Sequence, residues 1–108
     1  MNVRWSERAL AEFTDTAAYV ANEFGKQAAI KMRDSVNEAI LTIIQFPQIG
    51  KVCFTDGEIS VEFRELVVKL SSVIHVIHEE EIYIVSIWNN RQDRKKLYAE
   101  FKGQIIQQ

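Results

Sequence analysis

The chain has 108 residues, 47% of them apolar and 26% charged, and a formal net charge of −2. That length suits one domain with one core, residues 1–108, and the composition excludes a disordered chain. No apolar run approaches the ~20 residues of a membrane-spanning helix. The opening MNVRWSERAL lacks the apolar stretch of a signal peptide, and a single cysteine, Cys53, excludes an internal disulfide or a cysteine-based zinc cage, so a cytosolic protein is expected.

In chain order, NVRWS reads as a short strand with Val3 and Trp5 on one side. Ser6 is a good N-cap, and from it the apolar positions become helical: Leu10, Phe13, Ala17, Val20 and Phe24 step by three and four. Gly25 ends that helix as a C-terminal glycine should. A second helix follows at once, with Ala29, Met32, Val36, Ile40 and Ile43 on one face. It stops near Phe46, because Pro47 disfavours the helical region for the residue before it. Two helices joined at one glycine should lie side by side as a hairpin.

PQIGKVCFTDGE reads as a loop closed by the turn signal Asp56-Gly57. Three β segments follow. Ile59, Val61 and Phe63 alternate with Ser60, Glu62 and Arg64, giving one wet face before the run turns apolar at LVV. VIHVIH (73–78) and IYIVSIW (82–88) are nearly continuous apolar runs suited to central strands, with KLSS and EEE as hairpin connections. DRKKLYAEFKGQII then has helical propensity, with Leu97, Phe101 and Ile105 on one stripe and Gly103 weakening its end. The order is β-α-α-β-β-β-(α): an α+β domain with an antiparallel three- to four-stranded sheet packed against an N-terminal helical hairpin.

Among residues that could carry chemistry, His75 and His78 stand three apart on a strand and point to opposite faces, so no metal site is expected. No cofactor is expected either, because the four glycines are scattered and form no phosphate loop. Cys53 has no sequence neighbour to activate it, Ser71-Ser72 read as turn residues, and Glu79-Glu80-Glu81 reads as a charged hairpin tip.

The basic residues are unevenly spread. Residues 1–90 hold eight Lys/Arg against thirteen Asp/Glu, whereas residues 91–108 hold five against two. Arg64 falls on the wet face of its strand, Arg91 and Arg94 follow the last strand, and Tyr98 stands four residues beyond Arg94. If those strands are neighbours, the arginines could converge on one face as donors to phosphate, with the tyrosine over them to stack or move a proton. The bland alternative is a solvated helix start, with Arg64 paired to Glu62 or Glu65.

VRWSERALAEFTDTAAYV, FPQIGKV, FRELVV and SVIHVIHEEEIYIVSIWNNRQD, taken in that order, resemble the RelE/ParE family of type II toxin–antitoxin (plasmid stabilisation) modules. The resemblance covers almost the whole chain. It implies a small cytoplasmic toxin that arrests growth and is neutralised by a cognate antitoxin, whose segments enter hydrophobic grooves and run along the sheet. One branch of the family cuts messenger RNA on the ribosome and the other inhibits DNA gyrase. A homo-oligomer stays open.

The RelE-like nuclease branch uses lysines on the second strand, an arginine on the third, and an arginine and a tyrosine near the C-terminus. This chain has Phe63, Arg64 and Glu65 at the second-strand positions and Ser72-Val73 where the third-strand arginine belongs. Arg91 or Arg94 matches the later arginine and Tyr98 the tyrosine, so these three would be catalytic only in a RelE-like enzyme. Arg64, Arg91 and Arg94 are otherwise target- or phosphate-binding. The missing groups and the acidic balance favour the ParE-like, gyrase-inhibiting side. The alternatives are a ribosome-dependent endoribonuclease and an inactive member that retains only antitoxin binding.

Overall fold

A computed structural model of the protein describes residues 1–56 and 61–101. The elements run β1 (Asn2–Trp5), α1 (Glu7–Phe24), α2 (Lys26–Gln45), β2 (Lys51–Asp56), β3 (Val61–Val68), β4 (Ser71–His78), β5 (Glu81–Asn89) and α3 (Arg94–Phe101). The sheet order is β1-β5-β4-β3-β2. The α+β class, the helical hairpin and the consecutive β3-β4-β5 strands are as expected.

Punctuation residues set the helices. Ser6 holds an extended backbone while its Oγ accepts the Ala9 N–H at 2.9 Å, starting α1. Gly25, at φ +95°, closes α1 through its N–H to the Ala21 carbonyl at 3.0 Å and opens α2 one residue later. A non-glycine residue would be strained at that φ, so the sharp joint between the helices depends on this residue. Phe46 ends α2 just before Pro47.

Two expectations about the sheet are corrected. Lys51–Asp56 is not loop but a fifth strand, paired antiparallel with β3 and irregular between Val52 and Phe54. The sheet is also mixed, because β1 lies parallel to β5, Val3 opposite Ile82 and Trp5 opposite Ile84. The helical hairpin carries the chain from β1 at one edge of the sheet to β2 at the other, and the β2-β3-β4-β5 meander then returns it to β1. Residues 57–60, including the Gly57 half of the expected turn and Ile59-Ser60, lie outside the described residues, as does Ile105 of the helical stripe.

The continuous apolar runs of β4 and β5 follow from cover on both faces. On one face Val73, Ile82, Ile84 and Ile87 meet Ala9 of α1 and Val36, Ala39, Ile40 and Ile43 of α2. On the other, Val61, Phe63, Ile74, Val76, Val85 and Trp88 meet Leu97 and Phe101 of α3. The α1 stripe is only half buried: Leu10 and Phe24, its two ends, are exposed.

The hairpin connections are shorter than the sequence suggests. Ser71 and Ser72 are buried in β4 rather than in a turn, and Lys69-Leu70 makes the connection, with Lys69 at φ +58°. Glu79 and Glu80 form the other, both at positive φ, the conformation of a two-residue type I′ hairpin turn. Glu81 leaves the acidic tip, joins β5 and binds Arg4 at 2.9 Å. Among the described residues no helix is long and apolar enough to cross a membrane.

Candidate functional site

The sheet divides the basic residues that the sequence suggests could converge. Arg64 lies opposite His75 in the β3–β4 register, on the helical-hairpin face with Leu66 and Val73. Its Nη1 donates to the carbonyls of Gln48 at 2.8 Å and Gly50 at 3.3 Å, and its Nη2 lies 3.4 Å from Glu62. Arg64 therefore ties the α2–β2 connection to β3, and the expected pairing with Glu62 is present. Next to it, the His75 ring is fully buried, with Nε2 2.7 Å from the Pro47 carbonyl and Nδ1 without a partner. Burial holds the His75 pKa below the ordinary value, which favours the neutral ring.

Arg91 goes elsewhere. Its guanidinium donates to the Tyr19 hydroxyl and lies 5.7 Å from the centre of that ring, so it belongs to α1 rather than to Arg64.

Arg94 and Tyr98 do come together, on the α3 face of the sheet. Glu65 lies opposite Ile74, whose side chain is in the α3-side core, so its carboxylate points toward α3. Arg94 grips it in a bidentate fork, Nη1 to Oε1 at 2.7 Å and Nη2 to Oε2. Ser72 Oγ donates to the same Oε2. Asn90 braces both donors: its Oδ1 accepts from Arg94 Nη2 at 2.9 Å, and its Nδ2 donates to Ser72 Oγ at 3.0 Å. The Tyr98 hydroxyl accepts from Arg94 Nη1 at 3.3 Å, and its ring is stacked on Phe54, centroids 5.7 Å apart and 9° from parallel.

The electrostatics agree with this geometry. The Arg94 hydrogen bonds hold the Glu65 carboxyl below the usual carboxylate range, and Glu65 in turn raises the pKa of Arg94. Cys53 is in β2, not in a loop; burial, reinforced by the Glu65 charge, pushes its thiol up to about 11. Such a thiol is a poor nucleophile near neutral pH. Among the described residues no three His, Cys, Asp or Glu side chains are grouped to hold a metal.

Glu65, Ser72, Asn90 and Phe54 complete a cluster of which the sequence suggested only Arg94 and Tyr98. One signal was available for Glu65. The alternation of β3 puts Glu62 and Arg64 on one side, which leaves Glu65 out of phase, a carboxylate among residues that face the core. Nothing in the local pattern marks Ser72 or Asn90.

A helical hairpin packed on a largely antiparallel sheet, in the order β-α-α-β-β-β-(α), is the arrangement that the RelE/ParE resemblance implies, to which β2 and the parallel pairing of β1 are added. The sequence model of the ParE toxin of type II toxin–antitoxin systems, parDE, matches residues 3–94. The chain belongs to the ParE toxin family. Its fold is also similar to a solved structure described as the chromosomal ParDE TA system from P. aeruginosa, with a TM-score of 0.69 and 18% identity over 82% of this chain and 95% of that one. At that identity the likeness concerns the fold alone. No curated protein matches.

Proposed function

We propose that this chain is a cytoplasmic toxin that binds its target instead of cutting it, an inhibitor of DNA gyrase restrained by a cognate antitoxin. The state of Arg94 carries this reading. A nuclease needs positive charge on the scissile phosphate, a base and an acid. Here the Arg94 fork is closed on Glu65, the Tyr98 hydroxyl accepts from Arg94 and its ring is stacked, and His75 is buried on the opposite face. Arg64, the other candidate for phosphate, is engaged by two backbone carbonyls.

The antitoxin's seat in this reading is the groove of about 280 Å³ between the helical hairpin and the β3–β4 turn. Tyr19, Phe24, Met32 and Leu70 form its apolar lining, and Lys31, Lys69 and Arg91 stand at its edge. Phe24 and Leu70 are about two-thirds exposed, 65% and 68%. An amphipathic segment with apolar anchors and carboxylates matches that surface.

A second reading, a ribosome-dependent endoribonuclease, has one observation in its favour: Arg94 and Tyr98 sit in contact, 3.3 Å apart, on the sheet. Inducing the chain in a bacterial host while mapping messenger RNA 5′ ends separates the two. Growth arrest with intact messages and unresolved DNA is the expected result. New cuts confined to translated regions, lost in Tyr98→Phe, would overturn it in favour of the nuclease. No growth effect would identify an inactive member that retains only antitoxin binding. Arg91→Ala is expected to weaken antitoxin binding at that groove, and an unchanged antitoxin affinity would remove Arg91 from that surface.

A further inference from the structure

The carboxylate of Glu65 receives three donors on its two oxygens: both Arg94 Nη atoms and the Ser72 hydroxyl. Two of those donors come from outside β3–β4 pairing and are themselves held in place, because Asn90 bonds Arg94 and Ser72 together. Lys51, directly opposite Glu65 in the β2–β3 register, adds a second positive charge to the same carboxylate. The Glu65 side chain is only 10% exposed, whereas Arg94 is 37% exposed, so the cluster is open to solvent on its arginine side. A planar fork, a hydroxyl and a nearby ammonium around one small anion is the donor set that binds phosphate oxygens.

We propose that Arg94, Ser72, Asn90 and Lys51 form a seat for a phosphate-class oxyanion, and that Glu65 occupies it as a built-in anion which keeps phosphate out. The occupant is tethered to the strand beneath the seat, so it competes intramolecularly and a free phosphate at ordinary concentration does not displace it. The seat is then closed in the wild-type chain and opens when Glu65 is removed. This inference deepens the non-nuclease reading but does not depend on which macromolecule the chain inhibits, because the occupancy of the seat is measurable without any target.

The test uses the full chain and inorganic phosphate, with chloride at matched ionic strength as the control. Glu65→Ala leaves the donors around an empty place. It is expected to bind phosphate with a Kd at least about tenfold below that of wild type, the effect of one to two charge-assisted hydrogen bonds. Phosphate and formate should both raise its melting temperature selectively, and the double variant Glu65→Ala/Arg94→Ala should lose the response. Glu65→Gln keeps the shape of the occupant without its charge. It serves where the alanine variant does not fold, and should show a smaller selective response than Glu65→Ala but a larger one than wild type. A folded Glu65→Ala or Glu65→Gln protein responding to phosphate no more than wild type would overturn the proposal, leaving Glu65 only a clamp for α3. So would a response that persists without Arg94.

Discussion

Glu12 lies in α1, yet its carboxylate completes the sheet. β1 ends at Trp5 opposite Ile84, so from Val85 onward β5 has no strand on that side. Side chains at the start of α1 take over. Ser6 Oγ donates to the Val85 carbonyl at 3.2 Å, and Glu12 Oε1 accepts the Ile87 N–H at 3.1 Å and the Ser86 hydroxyl at 2.7 Å. Arg8 Nε adds a bond at 3.3 Å to the other oxygen. Glu12→Ala removes a charged acceptor from three donors, one of them the backbone of β5. With about 1.5–3 kcal/mol per hydrogen bond to a charged group, reduced because water reaches part of the site, the expected loss is about 2–4 kcal/mol. That is a large share of the ~5–15 kcal/mol typical of such a domain.

Burial is the largest influence on Glu12 and raises its pKa above the ordinary 4.5. The folded chain thus holds this proton more tightly than the unfolded chain. The stability contributed by protonated Glu12 is full below the unfolded pKa and is lost as pH rises through the folded pKa. Glu12→Gln fixes the neutral form, so its stability relative to wild type should improve as pH rises above the ordinary 4.5 and level off once the folded carboxyl has ionised. Urea unfolding followed by tryptophan fluorescence measures both variants. An alanine variant losing less than about 0.5 kcal/mol, where a buried, charged hydrogen bond is removed, would refute the reasoning. So would a glutamine variant whose difference from wild type is flat with pH.

Phe101 is fully buried, its ring 4.7 Å from that of Phe63 and the Arg8 guanidinium over it at 5.6 Å, so Phe101→Ala should cost about 3–5 kcal/mol in urea unfolding. Gly50 has φ +94°, and a Cβ there would lie 2.7 Å from the Glu65 carbonyl oxygen; Gly50→Ala should destabilise by more than about 1 kcal/mol, seen as a lower melting temperature. With its pKa raised from 9.0 to about 11, Cys53 should react with a disulfide reagent at neutral pH about a hundredfold more slowly in the native chain than in urea.

Elements bounded by residues with one conformational meaning were legible in the sequence. Ser6, Gly25 and Pro47 fix where the two helices start, meet and stop, and the apolar runs 73–78 and 82–88 required cover on both faces. β2 was hidden because its six residues lie between Pro47 and Gly50 on one side and Gly57 on the other, and an irregularity at Cys53 breaks its alternation. The parallel pairing of β1 was not legible either, since a four-residue strand says nothing about its neighbour until the β2-β3-β4-β5 meander has returned the chain to it.

For the site, the spacing of Arg94 and Tyr98 on one helix was enough to bring them together. Convergence with Arg64 failed on parity: Arg64 and Glu65 are adjacent on a strand, so they must face opposite ways, and α3 covers the side that Glu65 faces. Which carboxylate the Arg94 fork would meet depended on where α3 docks, a matter of Leu97 and Phe101 filling the core between Phe63 and Trp88.

The most direct measurement is supercoiling by purified gyrase in the presence of the purified chain, with and without its antitoxin. Inhibition that rises with the chain's concentration and is reversed by the antitoxin is the expected result. Undiminished supercoiling by a preparation that still arrests growth and cuts translated messages would contradict the binding-toxin reading.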